Sequence, residues 1–325
     1  MDHALVQPYQ INVTSEVRSD AISLEDLLPT MVQIFGTILL GWLTGTFKII
    51  SPEQAGGLGT FVGKYSLPSL VFISLATFDF DTVCLAFLLG IFFAKLAVFL
   101  LALGIKAVIT GDLSKAAMFA ILCTQTNDFA MGVPLLEAVL GQGEHPYKSF
   151  LYLAAPVSLV VLNPVGFVIL ETQKKTETKR SVWFSVFLAL KNLATNPIIV
   201  MTLLGVFVNF ITSASPPAAL QLILAKIGAC FTSLAPFSLG LGLVGKLNSI
   251  NGSNLSTIII LVILKCFLAP FFSQFMVAQA TELLLGMSLP GLENYSFIYG
   301  TFPPALGVMA YASLYQQSLR QAVRR

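Results

Sequence analysis

Two lysines, Lys95 and Lys265, fall near the middle of long apolar stretches, and an amide and an acid, Asn127 and Asp128, interrupt a third. An ammonium deep in hydrocarbon is costly, so such a group ordinarily faces a partner or a solute pathway. Both lysines lie roughly 12 residues, about 18 Å of helix, from the ends of their stretches, too far to reach an interface easily. Helix breakers accompany these polar groups. The segment "TQTNDFAMGVPLLEAVL" (124–140) carries Gly132 and Pro134, and "GTFPPALG" (300–307) carries Pro303 and Pro304. A proline removes an amide donor and clashes with the preceding turn, while a nearby glycine admits angles that are costly elsewhere. A helix broken at such a place exposes N–H groups on one half and carbonyls on the other. The first suit an anion and the second a cation. The chemistry expected is therefore non-covalent binding of a charged solute. For Lys95 and Lys265 two roles stay open: satisfying the carbonyls of broken helices, or coupling directly to transport.

The spacing of these residues repeats along the chain. Lys95 follows Pro68 by 27 residues, and Lys265 follows Pro236 by 29; Pro134 and Pro304 each follow their lysine by 39. The two halves read as duplicates, each ordered as proline span, lysine span, broken span. Five spans per copy, an odd number, make the second copy enter the membrane from the opposite side, the inverted repeat of secondary transporters. In that architecture the irregular backbone lines a cavity rather than facing lipid.

Composition sets the solvent in which all this must work. Of 325 residues, 56% are hydrophobic and 10% charged, against roughly a quarter charged in a soluble domain. Nine spans are expected, at about 27–47, 55–78, 82–109, 116–140, 149–172, 196–214, 218–245, 254–284 and 295–314. An interfacial amphipathic stretch is expected from Val182 to Leu193. The organisation that follows is a polar tail (1–26), a first five-helix repeat (27–172), a basic loop with the interfacial helix (173–194), a second repeat (195–314) and a basic tail (315–325).

Placing the N-terminus on the lumenal side puts Lys48, Lys106, Lys115, Lys174, Lys175, Lys179, Arg180, Lys246, Arg320, Arg324 and Arg325 in the cytosol. Only Arg18 and Lys148 then lie opposite, so the N-terminus is expected to be lumenal. Asn12 and Asn294 head sequons on that side, Asn12 being the candidate glycosylation site. Lys64 and Lys226, near span ends, are expected to snorkel. The four cysteines fall within spans and the two histidines in polar segments, so no disulfide framework, metal centre or cofactor site is indicated. No catalytic constellation and no nucleic-acid surface is expected.

At the broken spans the chain resembles the PIN auxin-efflux carriers and their PIN-like relatives. The resemblance is carried by Ser51-Pro52-Glu53-Gln54 running to Pro68, Asn127 with Met131-Gly132-Val133-Pro134-Leu135-Leu136, Asn196-Pro197, "PFSLGLGLVG" (236–245) and "GTFPPALGVMAYAS" (300–313). It covers most of residues 27–315. Within the group the chain looks most like a lysosomal sterol-sensing branch of animals, in which a PIN-like domain precedes receptor-like helices and a DEP domain. The resemblance implies an all-α fold of two inverted five-helix repeats whose fourth and ninth helices cross at their breaks, with the tenth helix missing from this chain. It implies that Asn127 serves the substrate carboxylate region, that Pro134 and Pro303-Pro304 mark the crossover, and that Lys95 and Lys265 occupy basic positions of the third and eighth helices. Carriers of the group hold an acid four residues before the first lysine, and here that residue is Ile91. The sterol-facing positions of the first helix correspond to Pro29, Gln33 and Trp42, without the acid found there in the sterol branch. The partners implied are a membrane lipid or sterol, a small organic anion, and a second copy of the chain as homodimer.

Overall fold

The computed structural model describes residues 24–80, 84–140, 146–157, 161–172, 187, 191, 194–245 and 252–305. Asn12, most of the basic loop and the C-terminal tail lie outside the described residues. Described regular structure is helical throughout, and five helices are long and apolar enough to cross a membrane. The protein is an all-α polytopic membrane protein.

The first span is α1 (Leu24–Thr46), and the second is α2 (Pro52–Phe61) continued through a π-helical turn at Val62–Ser66 into α3 (Leu67–Ala76). The third is α4 (Leu85–Thr110). The fourth is divided into α5 (Leu113–Thr124), a π turn at Asp128–Gly132 and α6 (Val133–Leu140). The fifth contains α7 (Pro146–Val157) and α8 (Asn163–Thr172), the sixth is α9 (Pro197–Thr212), and the seventh is α10 (Ala218–Leu243). The eighth runs as α11 (Gly252–Val262), a π turn at Ile263–Leu268 and α12 (Ala269–Leu285); the ninth begins with α13 (Pro290–Gly300).

Local chemistry accounts for the ends of these helices. Ser51 and Gln54 form a capping box at α2: the Gln54 amide donates to Ser51 Oγ at 3.3 Å and the Ser51 amide to Gln54 Oε1 at 2.8 Å. The Asn196 side chain accepts from the Ile198 amide at 2.9 Å, with Pro197 opening α9 where its missing N–H costs nothing. Each named π turn is followed, two residues after its end, by a proline: Pro68, Pro134 and Pro270. A residue that cannot donate to the preceding turn is where a helix most cheaply changes its pitch. Pro236, by contrast, lies inside α10 without ending it.

Contacts sort the helices into two groups. In one, α1 packs on α10, α3 packs on α9, and α10 lies against α3. In the other, α4 packs on both α5 and α12, α12 on α13, and α5 on α8. Apart from the α5–α8 pair, this set of pairings is unchanged when spans one to four are exchanged for spans six to nine. Two of these helices differ sharply in exposure: half of the most apolar window of α4 is buried, but only 11% of that of α1. Accordingly α4 is a central helix, and α1 turns Leu28, Val32, Phe35, Leu39 and Leu40 outward. Lipid is as apolar as leucine, so such helices associate by close packing rather than by expelling water. The crossing of α4 and α12 shows how closely they approach. A Cβ on Gly90 would stand 2.6 Å from the Val277 Cα, inside van der Waals contact.

Candidate functional site at the helix breaks

The interruption of the fourth span meets the segment that follows α13. Thr126 and Pro304 form an antiparallel bridge in which the Asn127 amide donates to the Pro303 carbonyl at 2.8 Å and the Ala305 amide to the Gln125 carbonyl at 3.2 Å. Two peptide segments that have left their helices thus satisfy each other, as buried backbone must. Pro303 and Pro304 have no amide to donate, so the only amide that segment offers across the bridge is that of Ala305. The Asn127 carbonyl then accepts from the amides of Met131 (3.3 Å) and Gly132 (3.0 Å), which starts the second half-helix.

The position of the fourth-span break corrects the expectation. Gly132-Val133-Pro134 is not the interruption: Gly132 ends the π turn and Pro134 is the second residue of α6, while the non-helical residues are Gln125 to Asn127. Proline is tolerated in the first turn of a helix, so Pro134 helps restart the helix rather than break it. Gly132 has a separate task. A Cβ there would meet the Phe302 ring at 2.6 Å, and Phe302 is wholly buried. The ninth-span break falls as expected, with α13 ending at Gly300 and residues 301–305 non-helical.

Lys95 is 7% and Lys265 3% exposed, so both are buried beside this crossing. Lys95 Nζ donates to the Tyr299 hydroxyl at 2.6 Å and to Thr126 Oγ1 at 3.4 Å, and it stands 4.9 Å from the Tyr299 ring centroid. The hydroxyls of Thr126 and Tyr299 are themselves 3.3 Å apart. Lys265 is carried by the π turn of the eighth span, a kind of bulge common at functional sites. The buried Asp128 carboxylate interacts with both ammonium groups and with the hydroxyls of Thr126 and Tyr299, while its Oδ1 has no hydrogen-bond partner. Ile91, where the carriers hold an acid, is fully buried in an apolar cluster with Phe87, Tyr295 and Phe302. The acid facing Lys95 comes instead from the broken helix.

A narrow cavity lies between the lysines, lined by Lys95, Lys265, Thr124, Thr126, Ser273 and Tyr299 among others. A water-sized sphere has about 10 Å³ in which to move there, close to the minimum for one water. Asn127 is half-buried, and neither its side chain nor that of Asp128 lines the cavity. Sequence reasoning missed Thr126, Tyr299, Thr124 and Ser273, which look like unremarkable membrane residues until the two spans cross. It also missed the buried bond from Gln125 Nε2 to Asn163 Oδ1 (2.7 Å), which ties the break to α8.

The first-helix residues are distributed differently. Pro29 and Gln33 are exposed and one turn apart on α1, whereas Trp42 is half-buried. Nine residues separate Gln33 from Trp42, which places them on opposite sides of the helix and about 13 Å apart along it. The backbone of Trp42 lies where α1 meets α10: a Cβ on Gly240 would run into the backbone of Ile38 and Trp42.

Comparison with known proteins agrees with this architecture. A family described as membrane transport protein matches residues 26–323. The lysosomal cholesterol signaling protein of Mus musculus is 32% identical over 305 residues, covering 92% of this chain and 35% of the relative, so the chain spans about a third of that protein's length. With crossed, broken helices at its centre and a match along nearly its whole length, the chain belongs to the membrane transport protein family, that of the PIN-like auxin efflux carriers.

Proposed function

We propose that this chain is the PIN-like membrane domain of a lysosomal cholesterol sensor, in which a transporter fold has become a ligand-responsive element that couples sterol binding to nutrient signalling. The observation that carries the reading is the contrast between its two candidate sites. The crossover is occupied by the chain's own groups, Lys95, Tyr299 and Thr126 holding one another around a space of about one water. The outer face of α1, with Pro29, Gln33 and an apolar stripe, is open to membrane lipid. The likeness to the mouse lysosomal cholesterol signaling protein supports the same choice. A sterol lying along Pro29 and Gln33 would bias how α1 sits on α10, and α10 in turn touches the π turn of the broken helix. The test is photo-crosslinking with a cholesterol probe in vesicles. Labelling is expected on α1 near Pro29 and Gln33, and excess cholesterol should compete it away. Labelling indifferent to competitor, or absent from α1, would refute the proposal.

A second reading is a secondary carrier of small organic anions, favoured by the two buried ammonium groups beside the broken helices. It requires the crossover to open, because no organic anion fits the present space. Proteoliposomes should then accumulate labelled organic acids and lose the activity with Asn127→Ala. A folded protein without flux for any acid leaves the sensor reading.

A further inference from the structure

The cavity between the lysines brings two basic side chains to one buried place. Two ammonium groups, Lys95 and Lys265, line it. Among the described residues the carboxylate acting on them is that of Asp128 alone; Lys265 also feels Lys95 itself and the side chains of Cys123 and Cys266. A buried charge must be compensated or it weighs heavily against the fold. One carboxylate balances one of the two cations.

The remaining lining is rich in donors. Thr124, Thr126, Ser273 and Tyr299 bring hydroxyls, and the rest of the wall includes Ala94, Val98, Ala269 and Gly300, which add no charge. The Thr124 hydroxyl already meets the Ala120 and Ile121 carbonyls at 3.0 and 3.2 Å, leaving Thr126, Ser273, Tyr299 and the two lysine amines as the polar groups of the lining. A cation is disfavoured by the two lysines. A carboxylate-bearing solute is too large for a space close to one water. The charge, the donors and the size converge on a single small monovalent anion.

We infer that this cavity is a halide site, filled in the cell by chloride, that neutralises the Lys95–Lys265 pair and holds α4 to the π turn of the eighth span. This goes beyond the sterol and organic-anion readings and does not depend on either. A resident chloride stabilises the closed crossover whether or not the protein transports anything.

The experiment uses the full chain purified in detergent, with thermal unfolding followed in sodium chloride and in sodium gluconate at equal ionic strength. Chloride is expected to raise the midpoint saturably, bromide to do the same, and gluconate and sulfate to have no such effect, since a ligand binding only the folded state stabilises it by mass action. Ser273→Ala removes one donor and should raise the half-saturating chloride concentration about five-fold, the equivalent of one hydrogen bond. Lys265→Met should abolish the halide dependence, and the exposed Lys64→Met should retain it. Bromide soaked into crystals should give anomalous density between Lys95 and Lys265. Equal midpoints in chloride and gluconate for the unmodified chain would overturn the inference. So would a halide effect that Ser273→Ala leaves unchanged, or bromide density only elsewhere. Because these readouts are of binding, their failure leaves the crosslinking and flux results standing.

Discussion

Lys95 on α4 and Tyr299 on α13 are 204 residues apart in sequence, and the lysine donates a 2.6 Å hydrogen bond to the tyrosine hydroxyl inside the bundle. The bond joins a continuous helix of the first half to the broken helix of the second. It gives a buried cation two kinds of partner at once, a hydroxyl and an aromatic face.

Tyr299→Phe separates these two contributions. The ring stays, but Lys95 is left with Thr126 at 3.4 Å as its remaining hydroxyl partner. A loss of about 1–3 kcal/mol is expected, the cost of stranding a buried donor, read as a lowered unfolding temperature in detergent. Tyr299→Leu removes the ring as well and should cost more. If Tyr299→Phe unfolds with the parent protein, the hydroxyl is not what holds the lysine.

The glycines at the crossing differ in what surrounds them, and their alanine variants should differ accordingly. At Gly300 an added Cβ would meet the Pro270 Cα at 2.5 Å, its N at 2.8 Å and the Ala269 carbonyl at 3.0 Å, all backbone. At Gly132 the nearest atoms it would meet are those of the Phe302 ring. A side chain can be shortened to make room, whereas a helix backbone cannot. Gly300→Ala should therefore be the more damaging, and no single side-chain change should relieve it. Gly132→Ala should be rescued in large part by Phe302→Leu. A double-mutant cycle on Gly132 and Phe302 is expected to give a coupling of about 1–3 kcal/mol, and a value near zero would mean that the ring does not press on that position.

The sequon at Asn294 is closed by its surroundings. Ser296 is fully buried with its hydroxyl on the Glu293 carbonyl at 2.6 Å, Tyr295 is buried, and all three residues belong to α13. An acceptor site must be presented as exposed, extended chain. Asn294→Gln is expected to leave electrophoretic mobility unchanged after expression in a glycosylating cell, while Asn12→Gln should remove a glycan if the N-terminus is lumenal. A shift on Asn294→Gln would require α13 to unwind before it is modified.

Much of this arrangement could be read from residue types because hydrocarbon penalises exceptions. Lys95 and Lys265 stood out as cations without an interface, and the structure buries both at one place. The spacing of prolines and lysines points to interruptions in the fourth and ninth spans, and these spans meet through Thr126 and Pro304. The location of the fourth-span break was misread by about two turns. A proline reads as the cause of an interruption, whereas Pro134 restarts the helix after residues whose backbone is held by the partner segment. That information is tertiary and leaves no local trace. Trp42 is matched by resemblance to a position along α1, yet nine residues of helix set it on the side opposite Gln33, so the two do not form one surface.

Asn209 carried no signal in the sequence, yet it holds the end of the second span. Its Nδ2 donates to the carbonyls of Leu75 (3.1 Å), Ala76 (3.1 Å) and Phe78 (2.6 Å), and the residue is 6% exposed on α9. The last carbonyls of a helix have no partner within it, and lipid offers none, so a side chain from the neighbouring helix supplies the donor. Asn209→Ala should cost about 1–3 kcal/mol, because the acceptors lose their donor in an apolar setting. Asn209→Asp is the sharper variant. It preserves size but turns a carboxylate towards three carbonyl oxygens, replacing attraction by repulsion, so it should destabilise more than alanine does. Thermal unfolding of the two variants side by side gives the order. Should Asp prove as stable as Asn, the side chain would have to point elsewhere, and the junction of α3 with α9 would need another explanation.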